Sequence, residues 1–487
     1  MNRFHIYIVA ILALVGIMTS CSQTETKSLK VPSRSIFVAA PGDTGSTSFD
    51  SSNITSLTPT SIPKGWEVVD IDMYTSTITV KAPSSFDNEE VESGTLSLKG
   101  YTPTGATKSV DVFLAIVSEE VNYYAQPANC YVACKPKVRY IFNPMVGGSD
   151  VALSTAKVEL LWQTEKSLIK YLDMRDFNGD GNMEVVFYLN PDKDDDGNEL
   201  NTVVPGNALI GAYDAKDNLV WSWHIWVTNN DPVAAENTFA IGDVVMMNQN
   251  LGADTNNEGE ADKDAIARSY GLYYQWGRKE PLPGPNDWNF SLNYDNVLYN
   301  DSDYETKFGY VKSSEGGSIE WTNENPVNVV IGNPDNAYDW LNNGHDDALW
   351  SAAAKTNYDP CPYGWHIPDS KVFKTLTILA ADDDMLWEEA QPKYGWWLED
   401  TATDDKHFFS AAGRRNYLDG RLDNMNINEE LPVPWSGYYW SATTVGDNAE
   451  ALYFNLNTNT RNTWNGMETA RSMQRANAMP VRCVKMK

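Results

Sequence analysis

The chain has 487 residues and a formal net charge of -29, with 37 Lys plus Arg against 66 Asp plus Glu. That charge repels polyanions and excludes nucleic acid as a partner, while it keeps an exported protein soluble and attracts divalent cations. At roughly 150 residues per domain the length predicts about three domains. The 17 Trp, 25 Tyr and 15 Phe supply large groups to fill their cores. An aromatic-rich composition with many Gly, Asn, Asp and Thr favours a mainly β, multidomain chain with long loops.

The N-terminus carries Arg3 and then an apolar run from Ile6 to Met18. The run is too short to cross a bilayer as a helix and suits the apolar part of an export signal. Thr19-Ser20-Cys21 follows and resembles a bacterial lipobox, although Met18 is a less usual residue than Leu at its position. Residues 1–20 are therefore expected to be a lipoprotein signal peptide, with Cys21 lipidated and the membrane a partner through that anchor. The alternative is an ordinary secretory signal with an incidental cysteine. Residues 21–34 are rich in Ser, Thr, Lys and Gln and read as a flexible tether.

Residues 35–118 read as strands. Thr77-Ile78-Thr79-Val80-Lys81 alternates cleanly, and Gly94 to Gly100 and Ser109 to Ile116 add further runs between Pro, Asn, Asp and Gly clusters. This spacing predicts an immunoglobulin-like β-sandwich with a spacer role. The segment is similar to the small BACON-type Ig-like modules of Bacteroidetes proteins.

Residues 119–232 read as a second β-rich domain. In Leu219-Val220-Trp221-Ser222-Trp223-His224-Ile225-Trp226-Val227, alternation places Trp221 and Trp223 on one face. They are either core residues beside a packed His224, or a ring-stacking sugar platform if the rings are exposed. Two acidic loops carry the sharpest chemical signal. Asp176, Asn178, Asp180 and Glu184 supply oxygens at positions 1, 3, 5 and 9, with Gly181 at position 6. Asp192, Asp194 and Asp196 repeat the start sixteen residues later. Calcium wants six to eight hard oxygens, which alternate carboxylates around a glycine turn provide. The first loop resembles the calcium loops of integrin-like and dockerin-like repeats. Position 12 is Phe187 in the first loop and Val203 in the second, so neither is an EF-hand. The competing reading is a pair of acidic β-turns.

Residues 233–487 contain Ile241-Gly242-Asp243-Val244-Val245, Tyr270-Gly271-Leu272-Tyr273-Tyr274-Gln275-Trp276-Gly277-Arg278 and Asp359-Pro360-Cys361-Pro362-Tyr363-Gly364-Trp365-His366. Gly437-Tyr438-Tyr439-Trp440-Ser441 and Met479-Pro480-Val481-Arg482-Cys483 follow. In this order the five motifs resemble the Fibrobacter succinogenes major paralogous domain, a family of Bacteroidetes and Fibrobacteres surface proteins. The resemblance implies an α+β, C-type-lectin-like domain on a cell-surface protein, and with the lipobox at Cys21 the expected location is the outer membrane, lipid-anchored and surface-exposed. Trp276, Trp365 and Trp440 read as core. Helices are expected at 264–272, in part, and at 370–379, with Asp369 or Ser370 as N-cap.

Apart from Cys21 the cysteines are Cys130, Cys134, Cys361 and Cys483, which allow three pairings. Membership in the family motifs favours Cys361 with Cys483. Cys130 and Cys134 lie about 13 Å apart if they share a strand, too far for a bond, so they pair only across a turn or remain buried thiols.

The five histidines are isolated, and neither a His-Glu-x-x-His nor a Gly-x-Ser-x-Gly motif occurs. Glu280-Pro281-Leu282 and Trp464-Asn465-Gly466 only partly match the motifs of a calcium-dependent sugar site. The expectation is a non-enzymatic adhesion or presentation module, as a fimbrial or tip-like component, with surface proteins, glycans or fimbrial subunits as partners. A glycan-utilisation binding protein and an enzyme of unknown reaction are the alternatives.

Overall fold

A computed structural model describes residues 26–84, 93–195, 199–256, 263–284, 297–378, 394–423, 436–456 and 466–487. The protein is mostly β and built from several separate sheets. Cys21, Asp196 and Trp464-Asn465 lie outside the described residues.

The N-terminal part is a two-layered sandwich. Ser35–Val38, Thr107–Ile116, Gly94–Tyr101 and Ser56–Ser61 form one sheet in that order, the first pair parallel. Thr44–Ser48, Thr77–Lys81 and Glu67–Asp72 form the other. The predicted alternation turns Ile78 and Val80 from one sheet, and Leu96 and Leu98 from the other, into a shared core with Trp66. The tether proves shorter than its composition suggests. Ser28–Lys30 pairs with Asp50–Ser52, and Leu29 and Val31 are buried in the sandwich. Two apolar residues in a polar stretch suffice to tie it down.

The middle of the chain packs two sheets face to face. Glu119–Asn122, Val138–Phe142, Glu184–Leu189 and Ile169–Arg175 make the first. The second runs Cys130–Ala133, Leu219–Val227, Gly206–Tyr213, Lys157–Gln163, Leu298–Tyr299 and Glu305–Thr306. Between them Trp223 meets Phe142 edge-on with ring centroids 5.0 Å apart, and Phe142 stacks on Tyr131 at 4.6 Å.

The outer face of that second sheet is not wet. Along Leu219–Val227, Trp221, Trp223 and Ile225 point into the core just described, whereas Trp226 points the other way. There it joins Cys130, Val132, Trp162 and Leu209 in one core with Tyr270, Trp276, Trp350 and Trp440. The boundary expected at residue 232 is therefore crossed by packing: one sheet serves as a wall for two cores, and its last two strands come from beyond residue 297. A strand apolar on both faces must be covered on both, which is the physical reason.

The C-terminal half combines many short strands and loops with one longer antiparallel sheet, Ser436–Val445, Asn448–Asn455 and Met467–Met473. Its ends meet, with Met246 opposite Val484, and Cys361 and Cys483 are joined by a disulfide across Cα atoms 6.0 Å apart. Cys130 and Cys134 are free thiols. Indole N–H groups hold the loops: Trp276 donates to the Ser441 carbonyl at 2.9 Å, Trp340 to that of Trp276 at 2.7 Å and Trp440 to that of Tyr274 at 2.8 Å. Each indole fills the core and at the same time satisfies a buried carbonyl. Gly271 sits at φ +71°, where an added Cβ would lie 2.7 Å from the Leu251 carbonyl oxygen, so only glycine closes that loop.

The helices are shorter than expected. Lys263–Arg268 is α-helical. The stretch expected as a helix over 370–379 is a 3-10 turn, Ser370–Thr375, that becomes the strand Leu376–Ile378. Asp369 does cap it, accepting from the Lys371 amide at 2.9 Å. Val372, Thr375, Thr377 and Ile378 are β-branched, and pairing of Leu376–Ile378 with Gly395–Asp400 wins over helix continuation.

Candidate functional site

The first acidic loop links Ile169–Arg175 to Glu184–Leu189, whose strands pair antiparallel. It is a tight turn organised by its first carboxylate. Asp176 accepts the Gly179 amide on Oδ1 at 2.6 Å and the Gly181 amide on Oδ2 at 2.8 Å. Those amides, that of Gly181 foremost, hold the Asp176 carboxyl below its usual range. Gly181 sits at φ +88°, the glycine turn that the sequence pattern requires. Asp180 accepts the Asn182 amide at 2.9 Å. Asn178 Nδ2 donates to Glu184 Oε1 at 2.8 Å, so positions 3 and 9 of the loop meet. Glu184 is only 5% exposed, and its Oε2 makes no well-formed hydrogen bond, the Phe177 amide being the donor nearest to serving the carboxylate. Burial, with Glu120 and Asp180 nearby, raises its pKa. Among the described residues no three His, Cys, Asp or Glu side chains stand close enough to hold a metal ion as they are placed.

The second loop is the turn of a small hairpin in which Pro191–Lys193 pairs with Glu199–Val203. Asp192 accepts the neighbouring Lys193 amide at 2.8 Å, and Asp194 is exposed. Glu199 beside it is already engaged, 3.2 Å from Lys170 Nζ and 3.2 Å from Ser93 Oγ. The structure thus brings Asn178 to Glu184 in the turn that Asp176 organises, and leaves Asp192 in a strand and Asp194 exposed just after it.

The other sequence candidates are interior. Trp221 and Trp223 are buried, which removes the sugar-platform reading for them. The Lys279 ammonium lies 4.3 Å from the Trp221 ring centroid. His224 Nε2 is 2.8 Å from Asn207 Oδ1, and burial pushes its pKa down to about 3. It is a neutral, packed histidine. Glu280 is buried between Arg278 Nε at 3.0 Å and Lys279 Nζ at 2.9 Å, so it is committed to an ion triad rather than to a sugar-binding cation. Trp276, Trp365 and Trp440 are core residues. Burial raises the thiol pKa of Cys130 and Cys134, which keeps both protonated and poorly nucleophilic.

Two surface features have no counterpart in the sequence reading. Tyr338, at φ +57° directly after Ala337 at φ +51°, meets Tyr417 edge-on at 4.8 Å, beside the exposed Leu418. Separately, the Arg471 guanidinium lies 3.9 Å from the Tyr453 ring centroid, Tyr453 packs on Tyr438 at 5.1 Å, and Arg414 lies over Tyr438 at 5.2 Å. In this row two packed rings lie between two cations, and Arg471 and Tyr453 are its half-exposed end. Its members come from four separate strands, so spacing along the chain carries no sign of it.

No protein-family model matches the chain, and no curated protein matches it by sequence. Among solved structures, the D00-D0 domain of intimin is similar over 41% of this chain and 96% of its own, at 10% identity and a TM-score of 0.15. Tandem Ig domains of titin are similar over 42% and 98%, at 7% identity and a TM-score of 0.14. A Bacteroides ovatus mixed-linkage glucan utilisation protein, SGBP-B, solved with a mixed-linkage heptasaccharide, is similar over 43% and 50%, at 12% identity and a TM-score of 0.11. Likenesses this loose carry no weight for fold or function.

Proposed function

We propose that the chain is a lipid-anchored outer-membrane surface protein whose head presents loops for adhesion without catalysing a reaction, as a fimbrial or tip-like component. The observation that carries this reading is the two-sided wall sheet. Trp226, Trp162 and Leu209 on its outer face and Trp223 and Ile225 on its inner face lock the middle and C-terminal halves into one rigid head. Recognition favours loops borne on such a rigid scaffold. The lipobox at Cys21 puts the anchor before the sandwich, at the opposite end of the chain from the motif-bearing half. The family resemblance of the five C-terminal motifs supports a C-type-lectin-like head, and the sandwich suits an Ig-like spacer. The test is labelling with radioactive palmitate in an exporting host, combined with surface proteolysis of intact cells. Label lost in Cys21→Ala and a protease-sensitive head are expected. Unlabelled wild-type protein, or a head protected in intact cells, refutes the reading.

A second reading, glycan binding, is favoured by the half-exposed Arg471–Tyr453 pair, since a ring beside a cation suits an acidic sugar. A glycan array probed with wild type and Tyr453→Ala decides it: signal lost in the variant supports it, and a blank array with the wild type excludes it.

A further inference from the structure

The loop Asp176-Phe177-Asn178-Gly179-Asp180-Gly181-Asn182-Met183-Glu184 contains more than turn chemistry requires. A β-turn needs Asp176 and the glycines, and both are in use: the Asp176 carboxylate takes three amides, those of Gly179, Asp180 and Gly181. It does not need a buried carboxylate at position 9. Glu184 nevertheless lies at the root of the loop, 5% exposed, with Oε1 held by Asn178 Nδ2 at 2.8 Å and Oε2 unpartnered. An unmatched buried carboxylate oxygen costs about 1–3 kcal/mol or more, a cost that a bound cation would recover. Its acidic neighbours are Glu120 and Asp180, which press like charge on it, while Arg139 offsets them. Arg139 is itself paired with Glu120. A local excess of negative charge remains around one open oxygen.

We propose that this loop is a binding site for a hard divalent cation, calcium by its donor set, in which Asp176, Asn178, Asp180 and Glu184 supply side-chain oxygens and water completes the shell. Calcium takes six to eight oxygens in flexible geometry, and all four residues carry one. Asn178 donates its amide N–H to Glu184, and a half-turn of the same planar group presents its carbonyl oxygen instead. The carboxylates do not already form a cage, so ion binding draws the loop closed over Glu184.

The position of the loop gives the ion a consequence. Asp176 follows Arg175 directly, at the end of the strand that carries the joint to the N-terminal sandwich. On that strand Tyr171 stacks on Phe113 at 4.8 Å, Asp173 pairs with Arg34 at 3.1 Å, and Arg175 Nη2 donates to Ser35 Oγ at 3.1 Å. Closing the loop stiffens the strand end that holds sandwich and head together.

The experiment is calorimetric titration of calcium chloride into the full-length chain, purified in detergent and stripped with chelator, with thermal unfolding run in parallel. Hydrogen exchange over residues 169–189 is measured with calcium and with chelator. One binding event, a raised melting temperature and slower exchange in 169–175 are expected in the wild type. Asp180→Asn, at an exposed position, and Glu184→Gln should each weaken binding at least tenfold and abolish the exchange difference. Asp194→Asn in the second loop should bind as the wild type does. Absence of both heat and melting shift in the wild type overturns the proposal. So does undiminished binding in both Asp180→Asn and Glu184→Gln, which would place the ion elsewhere. Near-ultraviolet circular dichroism matching the wild type confirms that a non-binding variant is folded. If Glu184→Gln fails to fold, Asp180→Asn decides alone.

Discussion

Acidification should weaken the protein through one residue in particular. His224 sits on the wall strand with no exposure to speak of, its Nε2 held by Asn207 and its Nδ1 3.5 Å from the Tyr274 hydroxyl. Burial lowers its folded pKa to about 3, while an unfolded histidine titrates near 6.5. A base whose folded pKa is depressed leaves the unfolded state binding more protons between the two values. Stability is therefore complete above pH of about 6.5 and declines as pH falls through that value toward about 3. At pH 4.5 the unfolded histidine is mostly protonated and the folded one still neutral, a difference worth about 3 kcal/mol. His407, half-buried and also lowered by burial, adds in the same direction. Carboxylates titrate too, so the comparison is with His224→Gln, which keeps a polar group toward Asn207 and cannot charge. Urea unfolding at pH 7.5 and 4.5 should show the wild type losing about 3 kcal/mol more than the variant between the two conditions. Equal losses in both proteins would refute the assignment of a neutral, desolvated imidazole at this position.

Further tests address the packing. Reducing the Cys361–Cys483 bond, or Cys361→Ser with Cys483→Ser, should cost about 4–5 kcal/mol because it frees a loop of 122 residues, read as a fall in the unfolding midpoint. Trp440→Phe removes an indole that donates to the Tyr274 carbonyl from a fully buried site, and calorimetry should record a loss of about 2–4 kcal/mol. Glu280→Gln leaves the Arg278 and Lys279 cations buried without their anion. A destabilisation of about 3–5 kcal/mol in denaturant unfolding is expected, and a neutral result would mean that the triad is solvated.

Strand content was legible where one face is wet. Thr77–Lys81 and Gly94–Tyr101 alternate because solvent selects every second residue. It was less legible where both faces are covered. Leu219–Val227 reads as a strand, but nothing local says that Trp226 belongs to a different core from Trp223. The same blindness set the expected boundary at residue 232, since Leu298–Tyr299 is too short a strand to announce its partner Gln163. The acidic loop was visible because all its groups lie within nine residues. Its most informative feature, the unpartnered oxygen of Glu184, depends on neighbours such as Glu120 from another strand. The Arg414, Tyr438, Tyr453 and Arg471 row is spread over three sheet neighbours and a separate hairpin, so it emerges only in three dimensions. The 3-10 turn at Ser370–Thr375 shows tertiary pairing overriding a good capping signal.

The two-sided wall also dictates an order of events during synthesis. A ribosome delivers the sandwich whole, because its strands all lie between Ser28 and Ile116. The next sheet cannot finish on delivery of its own residues. When Leu219–Val227 emerges, its inner face has Phe142 and Phe187 to meet, but Trp226, Trp162 and Leu209 on the other face await partners from Met247 to Cys483. For the time needed to make some 250 further residues, at about 5–20 residues per second, a broad greasy sheet stands bare with its edge strand missing. That interval is when a holding chaperone has something to grip, and when two nascent copies would stick to one another.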